Sequence, residues 1–191
     1  MRYGAKYLQW APFIETDAEP DTGLPKYGAA LNIGELNLLS DSPAFNEVRA
    51  HGDDRLARFA NEFRENPIDV EVLDILNSTM SAISGSKIDE GTGLKFNTGD
   101  SAPYGGLGFY STGLDRDNKK TYQGIFYPKV KAAVQGESYS TKGDSITLSN
   151  QRLRFMGMAS KAGDWKILSE PFDTESECKA WVDKMLKGSS T

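Results

Sequence analysis

Residues 68–72 read IDVEV, and residues 73–83 read LDILNSTMSAI. The first stretch alternates. Ile68, Val70 and Val72 fall on one side of an extended chain and Asp69 and Glu71 on the other, the pattern of a strand with one buried and one wet face. In the second stretch the period changes. Leu73, Leu76, Met80 and Ile83 recur at helical spacing, which predicts a short helix docked on the sheet, with Gly85 as its stop. Strand patterning that gives way to one short helix places the chain in a mainly β (α+β) class.

Toward the N-terminus, YLQWAPF (7–13) reads as a strand with Leu8 and Trp10 on one face and Tyr7, Gln9 and Ala11 on the other. The following IETDAEPDTGLPK (14–26) carries Glu15, Asp17, Glu19, Asp21 and two prolines, an acidic, solvated loop. In GAALNIGELNLL (28–39), Leu31 and Ile33 share one parity and Leu36 and Leu38 the other. Gly34 sits at the change, where a bulge or tight bend resets the face. Residues 40–62 are polar and irregular, and they read as a long connection holding at most a short strand at Leu56–Phe59. Long loops are thus expected at about 14–27 and 40–64.

Toward the C-terminus, residues 86–100 are loop-like, with a short strand near Leu94–Phe96. A run of strands follows: Gly106–Ser111, a turn at Gly113–Lys119, Tyr122–Tyr127, Val130–Val134, Asp144–Leu148, Leu153–Met158 and, after a turn at 162–164, Trp165–Leu168. The last segment is a helix. Cys178, Trp181, Val182, Met185 and Leu186 form one apolar stripe, Thr174 and Glu177 form a T-x-x-E capping box, Lys184 and Lys187 suit the last turn, and Gly188 suits the C-cap. Burying such a stripe stabilises by about 1.5–3 kcal/mol per large side chain, so the helix is expected to pack on its own sheet.

The length of 191 residues suits a single domain spanning 1–191, and 38% hydrophobic residues allow a sizeable core. Net charge is −5, which disfavours a surface that works by neutralising phosphates but does not exclude a protein that surrounds DNA without gripping it. One cysteine (Cys178) and one histidine (His51) cannot supply an intrachain disulfide or a Cys/His metal site. The N-terminus has no apolar core of a secretory signal, and no run approaches the roughly 20 apolar residues of a membrane span. A cytosol-like compartment is expected, unless the chain leaves inside a larger particle.

No segment matches G-x-x-x-x-G-K-[ST], G-x-S-x-G or H-E-x-x-H. The glycine-rich Gly105-Gly106-Leu107-Gly108 lies within a strand-like run with no helix after it, so it reads as a bulge or close packing rather than a phosphate cradle. His51, in AHGDD beside Asp53 and Asp54, reads as a loop residue rather than a catalytic one. Asp69 and Glu71 lie on a wet face, where nothing raises a carboxyl pKa toward general-acid work. Cys178, on the helix stripe, reads as a small hydrophobe. Phe109, Tyr110, Tyr122, Phe126 and Tyr127 could form a carbohydrate platform, but core and subunit packing is the favoured reading. No catalytic, cofactor-binding or metal-ligating residue is assigned.

Three ordered stretches carry a resemblance: Gly28–Leu39 followed by AHGDDRLARFANEFRENPIDVEVLDI (50–75); GGLGFYSTGLDRDNKKTYQGIFYPKVKAAVQGESYSTKGDSITLS (105–149); and the terminal helix with Trp181 after Phe172-Asp173-Thr174. Together they resemble the major tail (tail-tube) proteins of long-tailed bacteriophages of Gram-positive bacteria, over most of residues 28–187. The resemblance implies a two-sheet β-sandwich with a packed helix, a non-enzymatic subunit of the virion tail made in the host cytoplasm. It implies hexameric rings that stack into a tube for DNA ejection. It also implies partners in copies of itself and in tape-measure and terminator proteins, with DNA passing unbound through an acidic lumen and no membrane involved. Residues 15–26 and 40–64 are then candidates for arms reaching a neighbour. The alternatives from other classes are a carbohydrate-binding sandwich, another tail or neck component, and, least favoured, a carboxylate-pair hydrolase.

Overall fold

The computed structural model describes residues 1–14, 20–52, 55–136 and 150–187. Along the chain lie β1 (Arg2–Pro12), β2 (Leu31–Asn32), β3 (Leu36–Asp41), β4 (Ala44–Gly52), β5 (Arg55–Val72), α1 (Asn77–Ser84), β6 (Lys87–Asp89), β7 (Gly93–Lys95), β8 (Tyr104–Leu114), β9 (Lys120–Val134), β10 (Gln151–Met158), β11 (Ile167–Leu168) and α2 (Glu175–Lys187). The fold is mainly β with two helices. The main sheet is antiparallel, in the order β2-β1-β8-β9-β10-β5-β3, with β11 added to β9 and β4 added to β5; β6 and β7 form a separate hairpin.

That order forces the sheet to curl. Its two ends, β2 and β3, are joined by residues 33–35 alone. Flat, the seven strands would hold their outer members about 29 Å apart, whereas the linking residues reach at most about 14 Å. The sheet therefore bends until β3 lies beside β1, giving a sandwich-like core between its two halves. Gly34 makes the crossing at φ 145°, so close to Asp74 that an added Cβ would lie 2.2 Å from its carbonyl oxygen. The parity change at Gly34 is thus a crossing between sheet ends rather than a bulge within one strand. Within β3 a register shift between Leu36 and Leu38 turns Leu39 toward Val70 and leaves Leu38 exposed, the reverse of simple alternation.

The interior holds Leu8 and Trp10 of β1, Ile68, Val70 and Val72 of β5, Leu107 and Phe109 of β8, Ile125, Tyr127 and Val130 of β9, and Leu153 and Phe155 of β10. Met80 and Ile83 of α1 join it at the Val72 end of β5. α1 starts at Asn77, later than its apolar spacing predicts, because Leu73 is tied to the sheet through its amide, which donates to the Glu35 carbonyl at 2.9 Å. Gly85 ends it in the left-handed conformation at φ 74°.

β9 is one strand where the sequence suggested two. Register runs from Leu107↔Tyr127 to Gly105↔Val130, so Pro128 and Lys129 together oppose Gly106. Proline, which has no N–H for the ladder, sits at this bulge. The bulge also explains how Tyr127 and Val130 both face inward.

α2 covers the outer face of the sheet, with Val182 and Leu186 against Tyr27, Ala11 and Phe126. Gly108 and Gly124 make room for it: an added Cβ would lie 2.9 Å from Val182 and 2.3 Å from the Trp181 ring, respectively. Thr174 caps it, accepting from the Glu177 amide at 3.3 Å; its hydroxyl donates to the Glu177 carboxylate at 2.8 Å. The Gly188 cap, the strand expected at 144–148, the acidic residues 15–19 and Asp53-Asp54 lie outside the described residues.

Candidate assembly surface

The largest departure from the sequence reading is at residues 40–64. Apart from 53–54 they are almost entirely strand: β4 pairs with the first half of β5 from Ala44↔Glu65 to Gly52↔Arg55. His51 consequently lies in a strand rather than a loop. β5 has 18 residues, and its pairing with β10 starts only at Asn66. Residues 55–65 thus run about 35 Å beyond the sheet at 3.3 Å per residue. Among the described residues only β4 pairs with them there and only β5 pairs with β4, so no further described strand completes either outer edge of this arm. Two of its described apolar side chains are well exposed, Val48 at 66% and Phe59 at 52%.

Two register shifts mark the arm, one between Ala44 and Phe45 and one between Ala50 and His51. At the first, Arg64 is the extra residue, and the bulge there changes the direction in which the ribbon leaves the sheet. The root is aromatic. Phe63 stacks on Trp165 at 4.7 Å and 12°, and Phe45 meets both rings edge-on at 5.9 and 6.3 Å.

Beside this root the interior closes with polar groups. Lys166 donates to the Asp41 carboxylate at 2.6 Å and holds its ammonium 5.5 Å from the centre of the Tyr127 ring. Burial alone would push the Asp41 carboxyl up. The Lys166 ammonium, helped by the facing Tyr127 hydroxyl and Asn66 amide, outweighs burial and holds it below its ordinary 3.8. Burial and the Asp41 charge push the Tyr127 phenol up, so it stays protonated. Tyr127 and Asn66 are fully buried, yet neither side chain makes a hydrogen bond of ordinary geometry. A cavity of about 410 Å³ opens here between β1 and β3, walled by Leu39, Phe109 and Ile125.

No family model and no curated protein matches this chain.

Asp69 and Glu71 face Arg154 and Arg152 across the β5–β10 ladder, at 2.7 and 2.8 Å. The Arg154 hydrogen bonds hold Asp69 below its ordinary value, opposite to what a general acid needs. Cys178 is buried on the inner face of α2, and burial pushes its thiol up to about 11. Gly105, Gly106 and Gly108 lie against Trp10, Tyr27 and Val182, as close packing requires. Phe109, Tyr110, Phe126 and Tyr127 are buried and Tyr122 is half-buried, so the five form no open platform for a sugar. Among the described residues no group of three or more His, Cys, Asp or Glu side chains could hold a metal ion, and no helix is long and apolar enough to cross a membrane.

The arm's aromatic root was the feature that residue patterning missed. The signal lies in Phe45, Phe63 and Trp165, but period-2 alternation over 44–65 is interrupted by two bulges.

Proposed function

We propose that this chain is a structural subunit that assembles with copies of itself, as the tail-tube protein of a long-tailed bacteriophage. The carrying observation is the β4–β5 arm, a two-stranded ribbon with exposed Val48 and Phe59 and, among the described residues, no further strand on either edge. An isolated ribbon of this kind is marginal in water, and its edges invite pairing with another chain. A subunit whose edges are completed by sister copies turns that liability into a joint. The curled sheet with α2 on its outer face agrees with the sandwich that the tail-tube resemblance implies. In this reading the copies form rings, the rings stack, DNA passes through the lumen, and tape-measure and terminator proteins are the other partners.

Negative-stain microscopy and light scattering of the purified chain at rising concentration test the reading. Rings or tubes are expected, and Val48→Glu with Phe59→Glu should leave a folded monomer that forms none. A chain that stays monomeric at every concentration while folded, or a double variant that assembles normally, would overturn it. Burial of Phe109, Tyr110, Phe126 and Tyr127 weighs against the carbohydrate-binding alternative.

A further inference from the structure

We propose that Trp165 and Lys166 form a clasp that fixes the angle of the β4–β5 arm to the body, making them positioning residues for assembly. The two neighbours grip different strands of the arm's root. Trp165 stacks on Phe63 of β5, and the edge of Phe45 of β4 closes against both rings. Lys166 binds Asp41, the last residue of β3 before the chain enters β4. Both groups of the ion pair are about three-quarters buried, each side chain being 24% exposed. Water therefore screens it less than a surface pair.

The clasp is rigid because it is held at both ends. Before it, the turn at 160–164 is closed by two backbone bonds, Ser160 to the Asp164 carbonyl and Gly163 to the Ser160 carbonyl, each 2.9 Å. After it, Ile167 and Leu168 pair with Phe126 and Ile125 in the middle of the body. A third tie lies between the two grips, where the Ser42 amide donates to the Pro67 carbonyl at 3.0 Å. Trp165 belongs to neither hydrophobic core, so its role is separable from folding. A ribbon of this length hinged only at its bulge would sample many angles. Holding one angle lowers the entropy lost when the arm docks.

The clasp itself stands on geometry; its use in assembly rests on the tail-tube reading. The test is the distance between spin labels at Asn61→Cys on the arm and Asp117→Cys on the β8–β9 turn. The labels are placed in a Cys178→Ala background and diluted with unlabelled chain. The parent should give one narrow distance distribution. Trp165→Ala and Lys166→Met should each broaden it at least twofold, while Trp165→Phe, which can still stack, should keep it narrow. Thermal melts show that each variant is folded. A parent distribution already broad, or one unchanged in Trp165→Ala combined with Lys166→Met, overturns the proposal. Broadening accompanied by normal ring formation supports the clasp and counts instead against the role of the arm in assembly.

Discussion

Gly124 stands where the Trp181 indole lies against the sheet. A Cβ there would sit 2.3 Å from the ring, and the ring is held by a helix with little freedom to retreat. Gly124→Ala should therefore destabilise the fold by about 1–3 kcal/mol, read as a lower thermal midpoint. An unchanged midpoint would mean that α2 can slide on its sheet. Asp41 carries a second prediction at this scale. Its carboxyl is depressed in the folded chain, so its contribution is complete above its ordinary 3.8 and is lost as pH falls through the lower folded value. Asp41→Asn should cost about 1–2 kcal/mol near neutral pH. The gap between wild type and variant should close in acid, because protonated Asp41 then resembles asparagine. Melts from pH 7 to 2 measure it; a gap that does not depend on pH would show that Lys166 contributes nothing through charge.

At the scale of elements, the β4–β5 arm is separable from what holds the body together. Among the described side chains no core residue lies between 45 and 63, and the two hydrophobic clusters draw on β1, the far end of β5, β8, β9, β10 and the helices. Replacing residues 45–63 by Asn-Gly, a two-residue hairpin turn joining Ala44 to Arg64, should leave a folded protein with a nearly unchanged midpoint and abolish rings. Microscopy and melting on one sample decide between that outcome and a body that fails without its arm. The same division explains what was legible in the sequence. Elements facing the core announced themselves by period: 68–72, Leu8 with Trp10, Leu153 with Phe155, and the α2 stripe; the Thr174 cap of α2 and the Gly85 stop of α1 follow local rules. The arm did not, because its described side chains such as Val48 and Phe59 are exposed and two register shifts break the alternation. The union of 122–127 with 130–134 was hidden by a bulge that shifts parity at Pro128. The clasp was illegible for another reason. Trp165 and Phe63 are distant in sequence, and only the strand order brings them together.

At the scale of the whole molecule, the formal charge of −5 sets copies of the chain against one another. If the joint between copies is made by backbone edges and by apolar groups such as Val48 and Phe59, attraction is short-ranged and nearly indifferent to salt, while the repulsion is long-ranged and screened by it. The Debye length falls from about 30 Å at 0.01 M salt to about 8 Å at 0.15 M. Assembly at fixed concentration should therefore strengthen as salt rises over that range, with the onset concentration in light scattering dropping severalfold. The arm's visible ion pairs do not oppose this, since Glu47–Arg49 and Arg64–Glu65 join near neighbours on a single strand and are exposed. Assembly that weakens with salt would assign the joint to charge pairs between copies. The open edges would then need another explanation.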